Sequence, residues 1–287
     1  MNDRQTPADR PARKRTVHEG RVLRTERITP HMIRVVFGGP GLAAFRAGEY
    51  TDHYVKLLFP APGAAYPEPF DMAVIRETLP REEWPRTRTY TVRAWDQDAG
   101  ELTIDFVHHG DEGLAGPWAD GARPGDTLRM LGPGGAYAPD PAADWHLLAG
   151  DESALPAIGA ALERLPEGAV ARVFVEVAGP DEEQKLATAG DADILWLHRG
   201  GRRVGEALVE AVTALPFPAG RAQAFVHGEA GFVKDLRRLL RVEHGLGRDQ
   251  LSVSGYWRRG ADEDGWQSSK AEWNRQVEEE QEQGGAA

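Results

Sequence analysis

Arg88-Thr89-Tyr90-Thr91-Val92-Arg93, followed by Ile104-Asp105-Phe106-Val107-His108-His109-Gly110-Asp111-Glu112-Gly113, is the stretch whose reading decides the fold. The first segment alternates β-branched or aromatic residues with arginines, the pattern of a strand with one wet face. Such a strand offers backbone N–H and C=O groups to a flat ring, a tyrosine to lie against it, and guanidinium forks for a pyrophosphate. The second segment runs from a strand into a glycine-containing turn and a short helix, where backbone N–H groups cradle phosphate oxygens. Separated by one hairpin, the two pieces are what an antiparallel barrel needs to hold FAD in an extended pose. An amphipathic hairpin with solvated arginines would explain the first motif equally well; both motifs together favour the flavin.

Around these motifs lie short β patterns at Val17–Ile28, Met32–Phe37, His53–Phe59, Arg88–Ala94, Leu102–Val107 and Thr127–Leu131. Gly and Pro punctuate them, as in a small closed barrel. A Pro-rich connection spans residues 60–86, long enough to be functional or floppy, with the adenine end of a cofactor one thing it could cover. Gly132-Pro133-Gly134-Gly135-Ala136-Tyr137-Ala138-Pro139-Asp140-Pro141 has the composition of a stiff linker and is the best domain boundary. Beyond it the rhythm changes. Strands are expected at Trp145–Ala149, Val170–Val177, Ile194–His198, Ala222–Val226 and Leu251–Val253, with helices at Ser153–Arg164, Val204–Leu215 and Gly231–Val242. That alternation implies a mostly parallel sheet with helices on its faces. Residues 1–15 read as a disordered tail, 16–136 as a barrel domain, 137–260 as an α/β domain, and 261–287 as an acidic helix with a frayed end. Trp266 and Trp273 fall on one face of that helix and are expected to pack against the body.

The chain has 287 residues, enough for two domains each with its own core, and 41% of them are apolar. It contains no cysteine, which excludes disulfides, thiolate catalysis, iron–sulfur clusters and Cys-ligated zinc. Any redox chemistry must then use an organic cofactor. The polar, Pro/Arg-rich N-terminus lacks an apolar h-region, and no stretch reaches the length of a membrane span, so a cytoplasmic location is expected. The net charge of −11 argues against nucleic-acid or anionic-membrane partners. His108 and His109 point to opposite faces of a strand and cannot chelate one ion together, so no metal site is expected.

The order of four motifs resembles the siderophore-interacting protein family, flavin-dependent ferric-siderophore reductases related to the ferredoxin–NADP reductases. The motifs are Arg88–Arg93, Asp105–Ala119, Gly150-Asp151-Glu152-Ser153-Ala154-Leu155-Pro156-Ala157-Ile158, and Ser254-Gly255-Tyr256-Trp257-Arg258. The resemblance implies an antiparallel Greek-key β-barrel that binds FAD, then a parallel-sheet α/β nucleotide domain and a C-terminal helix. On this reading Arg88 grips the pyrophosphate, Tyr90 lies against the isoalloxazine, and the backbone of Thr91 and Val92 bonds the ring's polar edge. Thr89, Arg93, Asp105, Val107, His109, Gly113, Ala115 and Trp118 complete the expected flavin contacts. Family members often carry Gly-Pro-Ala followed two residues later by Trp-Ala. Here the proline stands at 117, which puts the backbone contacts over 114–117 in doubt.

Gly150, Asp151, Glu152 and Ser153 sit where NAD(P)H would meet the end of the first parallel strand, with Ser153 a candidate N-cap. A capped turn without ligand reads equally well from these residues alone. His198-Arg199-Gly200-Gly201-Arg202-Arg203 suits a ribose 2′-phosphate, whereas Glu176 and the acidic 181–183 run lean towards NADH; the donor stays open. Lys56, a cation inside an apolar strand, forms with Arg129, Arg258 and Arg259 a candidate basic patch for an anionic ferric siderophore. Independent solvated cations are the competing reading. The function implied is a cytoplasmic, monomeric NAD(P)H-dependent ferric-siderophore reductase. A general flavin reductase, an oxygenase reductase component and a non-catalytic siderophore-binding protein are the alternatives.

Overall fold

The computed structural model describes residues 16–261 and 263–284, so the N-terminal tail expected over 1–15 lies outside the described residues. Seven strands come first: β1 (Val17–Thr29), β2 (Met32–Gly38), β3 (Tyr54–Phe59), β4 (Arg86–Thr91), β5 (Ala94–Asp96), β6 (Glu101–Val107) and β7 (Thr127–Gly134). They form one antiparallel sheet in the order β4-β3-β7-β1-β2-β6-β5. The sheet curls until β4 meets β6, so the inward-facing alternate residues become one core containing Val35, Phe37, Leu57, Ile104, Phe106 and Met130. Helix α2 (Ala115–Gly121) plugs one end and contributes Ala115 and Ala119 to that core.

The second half alternates as expected. Strands β8 (Trp145–Gly150), β9 (Val170–Val177), β10 (Asp191–His198), β11 (Ala222–Glu229) and β12 (Leu251–Trp257) form a parallel sheet in the order β10-β9-β8-β11-β12. The central strand β8 is buried at all six positions, because helices cover both faces of the sheet. These are α3 (Leu155–Leu162), α4 (Glu206–Thr213) and α5 (Ala230–Arg238).

Several boundaries differ from the sequence reading, each for a local reason. The strand expected over Arg88–Ala94 breaks after Thr91: the Val92 N–H bonds the His53 carbonyl and the Arg93 N–H the Thr103 carbonyl, so the chain leaves β3 for β6. Helix α3 starts at Leu155 and not at Ser153, because the Asp151 side chain takes up the Ser153 N–H and hydroxyl. The helix expected over Gly231–Val242 ends as α-helix at Arg238 and continues as a π turn over Leu239–Glu243. The 60–86 connection is partly ordered by helix α1 (Met72–Thr78), a 3-10 turn at Arg81–Glu83, and the Tyr66 hydroxyl between Ala61 N–H and Glu83 carbonyl. The stretch expected as a stiff linker is part strand: Gly132–Gly134 belong to β7. The following residues are pinned by Asp52, whose Oδ1 accepts the Ala136 and Tyr137 N–H groups.

The acidic helix, α6 (Glu263–Gly284), runs to Gly284 where a frayed end was expected. Trp266 is fully buried and meets Trp273 edge-on at 5.3 Å, and its indole N–H reaches the Gly255 carbonyl. The helix thus packs on β12, as its aromatic spacing implied. No helix among the described residues is long and apolar enough to cross a membrane.

Candidate functional site

A cavity of about 740 Å³ opens between the barrel and the parallel sheet. One wall is the wet face of β4, the next the end of β6 with the turn that leads into α2, and the opposite side the carboxyl ends of β8 and β12 with α6. Of the residues expected to hold flavin, Arg88, Thr89, Tyr90, Thr91, Asp105, Val107, His109, Gly113 and Ala115 line it. Antiparallel pairing of β3 with β4 sets Lys56 opposite Thr89, and Lys56 lines the same cavity.

The Tyr90 ring is half-buried and packs on Phe106 at 4.6 Å, which holds it flat along the wall. Arg88 extends along the cavity, with Nη1 donating to the Thr87 carbonyl and pairing with Asp264 of α6 at 3.3 Å. Asp264 is largely exposed, so this pair is a weak, displaceable one. The turn 109–116 needs glycine: Gly110 and Gly113 adopt φ +62° and +81°, values that favour a residue without Cβ. At Gly116 a Cβ would sit 3.0 Å from the Val107 carbonyl. No side chain caps the first turn of α2, leaving the backbone of Ala115 and Gly116 facing the cavity. His109 is partly dehydrated by its position, which lowers its pKa; Glu152 nearby opposes the shift and Arg199 adds to it. A flat aromatic-backed wall, a guanidinium and a glycine turn with uncapped N–H groups fit FAD.

Three expected flavin contacts do not reach the cavity. Val92 is buried in the barrel core and its N–H is spent on His53. Arg93 points the other way, making a two-pronged ion pair with Glu163 at 3.0 and 2.6 Å. Trp118 packs among Phe37, Phe59 and Phe106 as a core residue. Asp105 does line the cavity, but its carboxylate is gripped by Arg34 through two 2.7 Å bonds.

On the opposite side Glu152 and Ser153 line the cavity, whereas Gly150 and Asp151 do not. Gly150 is a packing glycine, since a Cβ there would lie 2.5 Å from Ala154 Cβ. Asp151 is fully buried. Ser153 caps no helix; its hydroxyl donates to Asp151. Arg199 is held by Glu152 at 2.7 and 3.1 Å. Glu176 is fully buried, accepting the Gly205 N–H and touching Arg199 at 3.5 Å. Arg202 pairs with Glu210 and Glu206.

Of the four cations expected to form one patch, only Lys56 lines the main cavity. Lys56 faces the main cavity, while Arg129 lines another cleft of about 240 Å³, pairs with Glu19 and Glu68, and stacks over Phe70 at 4.5 Å. Arg258 and Arg259 are exposed beyond β12 and line neither. Along β3 and β7 the register sets Lys56 opposite Leu131 and Arg129 opposite Leu58, so the two cations share one face of the sheet, two residues apart along the ladder.

Sequence reasoning missed part of the wall. Tyr256 and Trp257 were legible as a motif but had no assigned role; His227, Gln267 and Lys270 carried no signal and arrive through β11 and α6. Tyr256 is bonded to Thr91 across the domain boundary, and burial pushes its phenol above the ordinary range. His227 stacks on Phe225 at 3.8 Å, its Nε2 bonds the Ser252 hydroxyl, and burial lowers its pKa to about 3, so the imidazole is neutral.

Comparison with known proteins agrees with this geometry. Residues 21–137 match the siderophore-interacting FAD-binding domain, and residues 143–260 match the siderophore-interacting protein family. Ferric vibriobactin reductase ViuB of Vibrio cholerae is 35% identical, over 86% of this chain and 92% of its own. The NADPH-dependent ferric-chelate reductase of Escherichia coli K12 is 33% identical, over 82% of this chain and 91% of its own. A crystal structure of a siderophore utilization protein from T. fusca superposes with a TM-score of 0.75 at 40% identity, covering 87% of this chain and 95% of that one. With both halves matched in order, and an FAD-shaped cavity lined by the motif residues, this chain belongs to the FAD-binding siderophore-interacting protein family.

Proposed function

We propose that this protein is a ferric-siderophore reductase that uses FAD to move electrons from NAD(P)H to siderophore-bound iron(III), releasing iron(II) in the cytoplasm. The observation that carries this reading is the shared cavity, in which Tyr90 and Thr91 of β4 face Glu152, Ser153 and Trp257 of the parallel sheet. We take residues 16–136 as the FAD domain, 137–260 as the nucleotide domain, and 261–287 as the acidic C-terminal helix and tail.

Bound FAD supplies the ability to accept two electrons together and release them singly. The chain's own contribution is positioning: Arg88 and the 109–116 turn hold the phosphate end, and the Tyr90 wall fixes the ring plane. Glu152, Ser153 and Trp257 leave room for a nicotinamide on the other side. Lys56 gives an anionic chelate a cation inside the same cavity. Iron(III) is the substrate, and its reduction weakens the hold of hard anionic oxygen ligands. One point supports NADPH as donor: a relative 33% identical is named for NADPH.

The test is an anaerobic experiment with FAD-loaded protein. NADPH should bleach the flavin faster than NADH, and a ferric siderophore should restore the colour while iron(II) appears in a chromogenic trap. Reduction by NADPH followed by reoxidation only with free flavin or oxygen would make the protein a general flavin reductase.

A further inference from the structure

Asp151 follows β8 directly, at the carboxyl edge of the parallel sheet. Its side chain is fully buried and accepts four hydrogen bonds. Oδ1 takes the Ser153 N–H at 3.0 Å and the Ser153 hydroxyl at 2.5 Å. Oδ2 takes the Glu229 N–H at 2.9 Å and the Trp257 indole N–H at 2.8 Å. One carboxylate thereby ties together the ends of β8, β11 and β12, which neighbour one another in the sheet.

The backbone is shaped to admit this group. Gly228, next to Glu229, adopts φ +138°, and a Cβ there would fall 2.7 Å from Asp151 Cγ and 2.6 Å from Phe232. Burying a carboxylate is costly even when it is bonded, and an apolar side chain would pack these strand ends more cheaply. Two of the residues it holds, Ser153 and Trp257, line the cavity, while Asp151 itself does not.

We propose that Asp151 is a positioning residue for the nucleotide half of the site: it holds the Trp257 indole and the Ser153 turn in the orientation that receives the nicotinamide nucleotide. This rests on the reading above that the nucleotide enters between them. Trp257 is the contact residue, and the indole N–H bond to Asp151 sets its ring plane. Without that bond the ring can turn about its side-chain torsions, and the cavity wall loses its shape.

The experiment uses the FAD-loaded protein and the unreactive probes NADP+ and NAD+, followed by the change they cause in the flavin spectrum. Trp257→Phe removes the indole N–H together with the fused five-membered ring, and so reports the loss of the contact itself. Asp151→Asn keeps the shape of the side chain but, with its oxygen on Ser153, sets an amide donor against two N–H donors. Each variant should weaken binding of the preferred nucleotide by about tenfold, the scale of one charge-assisted hydrogen bond. In Asp151→Asn the FAD content and the limiting rate of flavin reduction at saturating NADPH should stay within about twofold, giving a KM effect without a matching kcat effect. The double variant should bind no worse than Trp257→Phe, because without the indole Asp151 has no ring left to position. In 15N-labelled protein the indole resonance missing from Trp257→Phe should move in Asp151→Asn. Should Asp151→Asn fail to fold, Asp151→Glu, which keeps the charge and shifts the carboxylate by one methylene, takes its place. Unchanged nucleotide binding in Trp257→Phe, or effects that add in the double variant, would overturn the role. A wild type that NADPH cannot reduce would instead remove the function proposed above, and this role with it.

Discussion

Arg88 and Arg93 bracket the same six-residue motif, yet the fold gives them opposite tasks. Arg88 lies within β4 and lines the cavity with its side chain 14% exposed, whereas Arg93 lies past the end of the strand and crosses to Glu163 of the other half. Nothing within the motif separates them, because the partner of Arg93 lies 70 residues further on. Arg88→Ala should therefore lower FAD affinity by roughly 1.5–3 kcal/mol, the loss expected for a charge-assisted contact. Titration of the apo-protein with FAD reads this directly, and the melting temperature should change little. Equal affinities in variant and wild type would take Arg88 out of the flavin site. Val92 and Trp118 show the same limit: their motif was legible, but the burial of Val92 in the core and the packing of half-buried Trp118 against it became visible only when the barrel closed.

Elements were more legible than single contacts. Period-2 alternation located six of the seven barrel strands and missed the three-residue β5, and the expected strand Val170–Val177 coincides with β9, because a hydrophobic pattern matching the pleat leaves one register open. Ends were less legible, since the Asp151 and Ser153 side chains, and not propensity, decide where α3 starts. Helix α6 is the clearest case of an element whose function exceeds its pattern. The tryptophan spacing predicts packing, but only the structure brings Gln267 and Lys270 to the cavity. Trp266→Ala should cost about 3–5 kcal/mol by the rule for large buried aromatics, detach α6 from β12 and weaken FAD retention as the wall loosens. Thermal melts and flavin release rates measure both effects. Destabilisation without faster flavin release would mean that α6 is a brace alone.

At the scale of the whole molecule, two polar clasps set one half against the other. Glu182 accepts the Thr29 hydroxyl at 2.6 Å and bonds His31 Nδ1 at 2.5 Å, and Arg93 holds Glu163. Burial alone would raise the Glu182 carboxyl, but the bonds from Thr29 and His31 outweigh it and hold the pKa below the usual range. Glu182→Ala should leave FAD affinity within about twofold and slow flavin reduction by NADPH severalfold, since the two cavity walls lose their fixed spacing. Stopped-flow reduction against an FAD titration checks this, and a slowed rate that tracks lost FAD would refute the clasp's role.

Stability against pH is also a property of the whole chain. His18, His146 and His227 are buried and desolvation lowers each pKa, so they fold neutral and the unfolded chain binds their protons from about pH 6.5 downwards. Their contribution is complete above that value and is lost as pH falls, for His227 until about 3. Asp151, raised to about 6 chiefly by burial, works the other way, since the folded state takes its proton first. Three protons against one give a net loss, so the melting temperature should fall between pH 7.5 and 5.5. A flat or rising profile would show that these histidines are not buried neutral.

The sequence by itself determined the order of strands and helices, the two-part architecture, the flavin motif on β4 and the glycine turn after β6. These are local: alternation, turn chemistry and the conformational freedom of glycine act over a few residues. Tertiary structure alone decided which motif residues face the cavity, that Lys56 lines it while Arg129, Arg258 and Arg259 do not, and that Asp151 is buried outside it. The physical reason is that a side chain's task depends on what burial and hydrogen bonding leave over. Those partners come from strands and helices distant in the chain, where composition and spacing carry no record of them.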